Sequence, residues 1–196
     1  MGRLTHRTSP GTSYFVTTKA SQNRALFRVT EIADLVVETM LHYRQNGAYL
    51  LHEFVLMPDH LHVLLTPSPS NALEKVMQFI KGGSSFRLNR QRGRKLDLWH
   101  AGFHDWTIRD ASDWNSKARY IRSNPVKAGL VERPEDWPYS SATGKLSLDP
   151  MPEKYQQVAS GAKAQVAPSP MSDLKVRPPK EKISGPLAAR SKAANP

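Results

Sequence analysis

Residues 48–66, AYLLHEFVLM-PD-HLHVLLT, hold two apolar runs of strand length separated only by Pro58-Asp59. Proline presets its own backbone angle and aspartate bonds locally, so this spacing predicts a tight turn and an antiparallel hairpin. A hairpin fixes which side chains share a face, because strand residues alternate sides. His60, His62 and Leu64 point one way; Leu61, Val63 and Leu65 point the other, toward a core. A two-residue turn pairs Met57 with His60, Val55 with His62 and Glu53 with Leu64. The chain must therefore bury one face of this hairpin and carry two imidazoles, with Glu53, on the other.

The flanking segments supply the rest of a sheet. SYFVTTKA (13–20) is β-branched and aromatic, a strand. Val29, Ile32, Ala33, Val36, Val37, Met40 and Leu41 recur at helical spacing within 28–46, and Gly47 closes the pattern. Asn71 and Glu74 form a capping-box pair for a helix through Val76, Met77 and Ile80, expected to break at Gly82-Gly83. FHDWTIR (103–109) reads as a short strand, and a last helix over 111–123 is expected to stop at Pro125. The order β-α-β-β-α-β plus a closing helix predicts an α+β, ferredoxin-like antiparallel sheet with helices on one face, the other left open. ERPEDWPYSSATG reads as a packed extended segment anchored by Trp137 and Tyr139. This domain is placed at 1–147. Residues 148–196, rich in Pro, Ala, Ser and Lys, are expected to be a mostly disordered basic tail with a helical piece near 153–160.

Net charge is +11 and the isoelectric point near 10, which points to a polyanion partner, most simply nucleic acid. The excess is not confined to the tail: residues 1–147 carry 20 basic and 13 acidic side chains. One cluster is KGGSSFRLNRQRGRK, where Lys81, Arg87, Arg90, Arg92, Arg94 and Lys95 accompany small residues able to meet phosphates. Trp99, Trp106, His100 and His104 fit packing, with base stacking as the alternative; Arg109-Asp110 reads as a structural pair. The GRLTHR segment at the start reads as either a basic arm or disorder. Cysteine is absent, which removes disulfides, thiolate metal sites and cysteine nucleophiles and fits a cytoplasmic setting. Neither a signal peptide nor an apolar run of roughly 18–20 residues is seen, so no membrane partner is expected. No nucleotide-binding fingerprint occurs, so no nucleotide cofactor is expected.

The closing helix has two faces. Trp114, Ala118 and Ile121 form the stripe expected to be buried; Lys117, Tyr120 and Asn124 lie on a polar face, with Arg119 and Arg122 beside Tyr120. His60 and His62 at i, i+2 can chelate one divalent cation and leave positions open for substrate oxygens. The same pair also suits a half-exposed sheet face. A closed zinc site is disfavoured for want of further ligands.

Together, MPDHLHVLLTP, LEKVMQFIKGGSSFRLNR, LWHAGFHDWTIRD and YIRSNPVKAGLVERPEDWPYSSA resemble, in that order over about residues 5–143, the REP-associated tyrosine transposases. These are a branch of the single-strand transposases named for their His-hydrophobe-His motif. The resemblance implies a ferredoxin-like fold and metal-dependent nicking and joining of DNA. It implies that His60 and His62 hold Mg²⁺ or Mn²⁺, that Asn124 completes the metal site, and that Tyr120 is the nucleophile, forming a 5′-phosphotyrosine and releasing a 3′-OH. Lys117, Arg119 and Arg122 join the cations of residues 81–95 as DNA-binding candidates. The implied partners are hairpins of repeated palindromes and the single strand beside them, met by a monomer or homodimer. The alternative is a non-catalytic binder of the same palindromes. An RNA-binding sheet ranks last, because the central strand shows histidines where aromatics would be needed.

Overall fold

The computed structural model describes residues 8–156. In chain order the elements are β1 (Tyr14–Lys19), α1 (Thr30–Gln45), β2 (Tyr49–Leu56), β3 (His60–Pro67), α2 (Leu73–Arg92), β4 (His104–Thr107), α3 (Ala111–Lys127) and α4 (Glu153–Gln156). The GRLTHR segment and the expected tail beyond 156 lie outside the described residues.

The hairpin forms as its turn chemistry requires. Met57 N–H donates to His60 O at 2.8 Å, and Val55 faces His62 while Glu53 faces Leu64, the register the sequence predicts. One irregularity was not legible: a bulge between Leu51 and Glu53 lets His52 meet Trp114 and Glu53 meet Arg122, both on α3. The sheet order is β2-β3-β1-β4 with every neighbour antiparallel, which is the ferredoxin-like α+β arrangement. β1 pairs with β3 so that Thr17 lies opposite His62 and Lys19 opposite His60.

Leu61, Val63 and Leu65 enter the main core with Val16, Val36, Met40, Phe54, Met77 and Ile80. The spaced apolar stripes of α1 and α2 cover that face, each fully buried aliphatic side chain contributing about 1.5–3 kcal/mol. The opposite face, expected to be open, is not. α3 packs across it, and Val55, Met57, Leu64, Ile108, Trp114, Ile121 and Tyr155 form a second apolar cluster there. The cause is the Trp114–Ile121 stripe, which finds matching apolar residues on β2 and β3 and would otherwise face water.

Four local expectations need correction. α2 does not break at Gly82-Gly83 but runs to Arg92 and ends at Gly93, whose φ of 61° is left-handed. Gly83 instead permits close approach of α1: a Cβ there would stand 2.8 Å from Tyr43 Cε2 and 3.1 Å from Thr39 Cγ2. Gly83→Ala should therefore lower stability, an overpacking cost of about 1–3 kcal/mol outweighing a helix-propensity gain of about 1 kcal/mol. Gly82→Ala meets only Gln78 Cγ at 3.8 Å and should be neutral to stabilising. Urea midpoints of the two variants check this contrast.

The α2 cap is also different. Ala72 occupies the cap position, and Leu73 N–H donates to Thr8 Oγ1 at 2.8 Å. Asn71 is used elsewhere, its amide donating to Ala48 O (3.2 Å) and Ser68 Oγ (3.0 Å). Pro125 does not stop α3, which continues to Lys127. In the last turn proline forfeits one backbone bond, and Leu130 N–H closes the end on Pro125 O at 2.9 Å. Arg109 pairs with Asp113 (Nε to Oδ2, 2.6 Å) rather than with Asp110. Asp110 is the N-cap, accepting from Asp113 N–H at 2.8 Å.

The packed region also passes the boundary placed at 147. Asp149 accepts from Arg44 Nε and from Leu51 N–H, both at 2.7 Å. Tyr155 is buried in the second cluster, its hydroxyl donating to Ile108 O and accepting from Ser13 N–H, each at 3.1 Å. One carboxylate and one phenol hold this segment, too sparse a signal for composition to reveal. No helix among the described residues is long and apolar enough to cross a membrane.

Candidate active site

β3 and α3 bring the two histidines and the tyrosine together. His62 is buried (5 % exposed). Its ring centroid lies 4.7 Å from that of His60 and 5.1 Å from that of Tyr120, the planes of the latter pair 72° apart. Phe15 of β1 stacks on His62 at 5.3 Å and meets Tyr120 edge-on at 5.8 Å. Three rings from β1, β3 and α3 thus fix one another by packing.

Each histidine also has one nitrogen engaged. His60 Nδ1 lies 2.6 Å from Asp59 Oδ1, and His62 Nδ1 lies 2.7 Å from Thr17 Oγ1. An ionised carboxylate can only accept, so the proton of His60 belongs on Nδ1 and the lone pair on Nε2. Thr17 holds the His62 ring through the same nitrogen, Nδ1. The hydrogen bond to His60 holds the Asp59 carboxyl below its usual range. Burial above all, then the nearby His60 and Lys117, push the His62 pKa well below the ordinary imidazole value, so His62 is neutral near pH 7.

These features fit a divalent cation: two neighbouring imidazoles, each oriented through Nδ1 by an oxygen partner. Among the described residues no group of three His, Cys, Asp or Glu converges, so further ligands would be amides, waters or substrate oxygens. Asn124 lies one helical turn beyond Tyr120, on the same side of α3, and is half-buried.

Positive charge surrounds the phenol. Lys127 Nζ stands 5.5 Å from the Tyr120 ring centroid. Lys117 Nζ lies between the rings of Phe15 (5.2 Å) and Trp106 (4.7 Å), where burial lowers its pKa. Toward the β2 edge, Glu53 is buried and accepts from Arg122 and from Ser141 Oγ (2.5 Å). Arg119 is exposed and, with Arg122, lines a cleft of about 770 Å³ floored by His52 and Glu53.

The α2 cations are placed differently. α2 packs on the sheet face opposite the histidines. Lys81 donates to His100 O (2.9 Å) and to Gly102 O, and burial lowers its pKa to about 8. Arg87 binds Glu38 (2.7 Å) and Thr39 Oγ1 (2.8 Å). Both have structural partners, whereas Arg90, Arg92, Arg94 and Lys95 are exposed. Five residues at the site were not singled out from sequence: Phe15, Thr17, Asp59 in its role beside His60, Trp106 in its contact with Lys117, and Lys127. Phe15 and Thr17 share the parity of a strand face, but only the β1–β3 pairing reveals whom they meet.

His52 adds a pH prediction. Its Nδ1 contacts Asp149 O (3.0 Å) and its Nε2 contacts Thr66 Oγ1 (2.8 Å), and burial lowers its pKa. The unfolded chain takes up protons near pH about 6.5 that folded His52 and His62 refuse. Their contribution to stability is complete above that pH and is lost as pH falls below it. Urea midpoints should drop between pH 7.5 and 5.5, and His52→Gln should flatten part of that slope.

Comparison with known proteins gives the family and the fold. The family described as "Transposase IS200 like" matches residues 12–124. A Haemophilus influenzae protein named among the REP-associated tyrosine transposases is 31 % identical over 137 residues, covering 63 % of this chain and 78 % of that protein. The Escherichia coli REP-associated tyrosine transposase is 24 % identical over 132 residues, covering 67 % and 76 %. A solved REP-associated tyrosine transposase bound to a REP hairpin has the same fold, with a TM-score of 0.63 and 23 % identity over 74 % of this chain and 84 % of that one.

Proposed function

Because the chain belongs to the IS200-like transposase family, and so to the DNA transposases, we propose that it nicks and joins single-stranded DNA beside hairpins of repeated palindromes through a covalent bond to Tyr120. One observation carries this reading: the Tyr120 ring stands 5.1 Å from His62 although the two come from different elements on different layers. The partner assignment is supported by the hairpin bound to the solved relative and by the net charge of +11.

His60 and His62, with Asn124, would hold Mg²⁺ or Mn²⁺. When bound, such a cation draws electron density from the non-bridging phosphate oxygens and offsets the charge that builds on them. The chain's own groups do the rest. Asp59 and Thr17 hold the imidazoles in orientation. The Tyr120 phenolate oxygen attacks phosphorus; the bond to the 3′ oxygen breaks, and that oxygen leaves as a 3′-OH on taking a proton. The phenol proton passes to water, and Lys117 and Lys127 stabilise the negative charge on phenolate and phosphate. The downstream strand remains as a 5′-phosphotyrosine, so the phosphodiester energy is kept and a 3′-OH can attack to rejoin. No nucleotide cofactor is needed. His62 and Tyr120 come from one chain, which supports action by a single copy.

The test is incubation of a labelled hairpin carrying a single-stranded flank with protein and Mn²⁺. Nicking with a gel-stable protein–DNA band is expected. Tight binding without either product would favour the non-catalytic palindrome binder.

A further inference from the structure

Of the four tryptophans, three have packing roles. Trp99 Nε1–H donates to Ser84 Oγ (2.9 Å) and its ring packs on Phe27; Trp137 Nε1–H donates to Leu56 O (2.9 Å); Trp114 is buried. Trp106 differs: on edge strand β4 it is 46 % exposed. It is nonetheless held in place. Two cations flank its ring, and one of them, Arg109, is itself fixed by Asp113 (Nε to Oδ2, 2.6 Å). Lys117 Nζ lies 4.7 Å and the Arg109 guanidinium carbon 5.5 Å from the indole ring.

The position matters as much as the exposure. Trp106 pairs in register with Phe15, the residue that stacks on His62 and abuts Tyr120. An aromatic row therefore runs from the sheet edge to the nucleophile, with the Lys117 ammonium seated between its first two rings. An aromatic face flanked by two cations matches an unpaired nucleotide, whose base stacks while its phosphate meets the charge. A base inside duplex DNA has both faces covered and offers nothing to such a surface.

We propose that Trp106 is a stacking platform for one unpaired nucleotide next to the scissile phosphate, with Lys117 and Arg109 engaging the adjoining backbone. Trp106 thereby selects single-stranded over paired DNA and sets the cut position. The proposal rests on the nuclease reading above and adds the residue that chooses where the strand lies.

The experiment walks a single abasic nucleotide along the flank of a hairpin substrate, using the full chain as wild type, Trp106→Phe and Trp106→Ala. In the wild type one abasic position near the cut should raise KM about tenfold, the size expected for one lost base–aromatic stack. In Trp106→Ala the intact substrate should show that penalty already, and the abasic change should add nothing; Trp106→Phe should recover part of it. A flat wild-type profile, or an unchanged profile in Trp106→Ala, overturns the proposal. Should the alanine variant not fold, the wild-type and phenylalanine profiles still decide. A parallel binding measurement places 2-aminopurine at the sensitive position with Tyr120→Phe protein, alone and combined with Trp106→Phe. Quenching that weakens in the double variant supports the platform even if wild type cuts nothing, in which case only the nuclease reading fails. Quenching unaffected by Trp106→Phe, beside normal cutting, removes the platform and leaves the nuclease.

Discussion

Tyr120→Phe should reduce the nicking rate at least about 10³-fold while hairpin affinity stays within about twofold. The asymmetry follows from what the substitution removes. The ring remains and keeps its edge contacts with His62 and Phe15 at 5.1 and 5.8 Å, so the α3–sheet packing is retained. On the proposed reading, binding would rest on cations that the substitution leaves untouched, among them the exposed Arg119 and the exposed set at the end of α2. Only the oxygen proposed to form the bond to phosphorus is lost. Single-turnover cleavage of a labelled flank, beside an equilibrium binding titration, measures both halves. Nicking at the wild-type rate would move the nucleophile elsewhere.

The second large effect concerns the imidazoles. His60→Ala combined with His62→Ala should cost at least about 10²–10³-fold in cleavage, and EDTA should reproduce the loss in the wild type. The two histidines differ in their structural side effects. His62 is buried beneath Phe15 and Tyr120, so its truncation also loosens the junction of α3 with the sheet, whereas His60 lies nearer the surface. Asp59→Ala separates orientation from ligation. It leaves both imidazoles but removes the 2.6 Å contact at His60 Nδ1, and should weaken metal affinity by about 10–100-fold. Manganese titration of cleavage distinguishes the cases: excess metal should restore Asp59→Ala and fail to restore the double histidine variant. Cleavage indifferent to EDTA would remove the cation from the account.

Much of this arrangement could be read from sequence because it is set locally. Pro58-Asp59 fixes the hairpin, the hairpin fixes the register, and the register places His62 opposite Val55 and Glu53 opposite Leu64. The two faces of α3 follow from residue spacing. What escaped is nonlocal. The bulge at His52, the pairing that sets Thr17 opposite His62, and the Thr8 cap of α2 all depend on residues distant in the chain. Gly83 reads as a breaker by propensity, yet it is retained inside a helix because Tyr43 of α1 occupies the space of a side chain. The sheet face expected to lie open is closed by α3 itself, and that closure is what carries Tyr120 to the histidines. Composition marked the chain after 147 as tail because it weighs averages. Asp149 and Tyr155 act singly, through an ion pair with Arg44 and a doubly bonded hydroxyl.

The most direct measurement traps the reaction midway. A flank carrying a label downstream of the cut is incubated with the full chain and Mn²⁺, the mixture is denatured and digested, and the labelled peptide is sequenced by mass spectrometry. The account predicts one adduct, the downstream fragment joined through its 5′ phosphate to the Tyr120 oxygen. Cut DNA with no adduct, or an adduct at any other side chain, would contradict it.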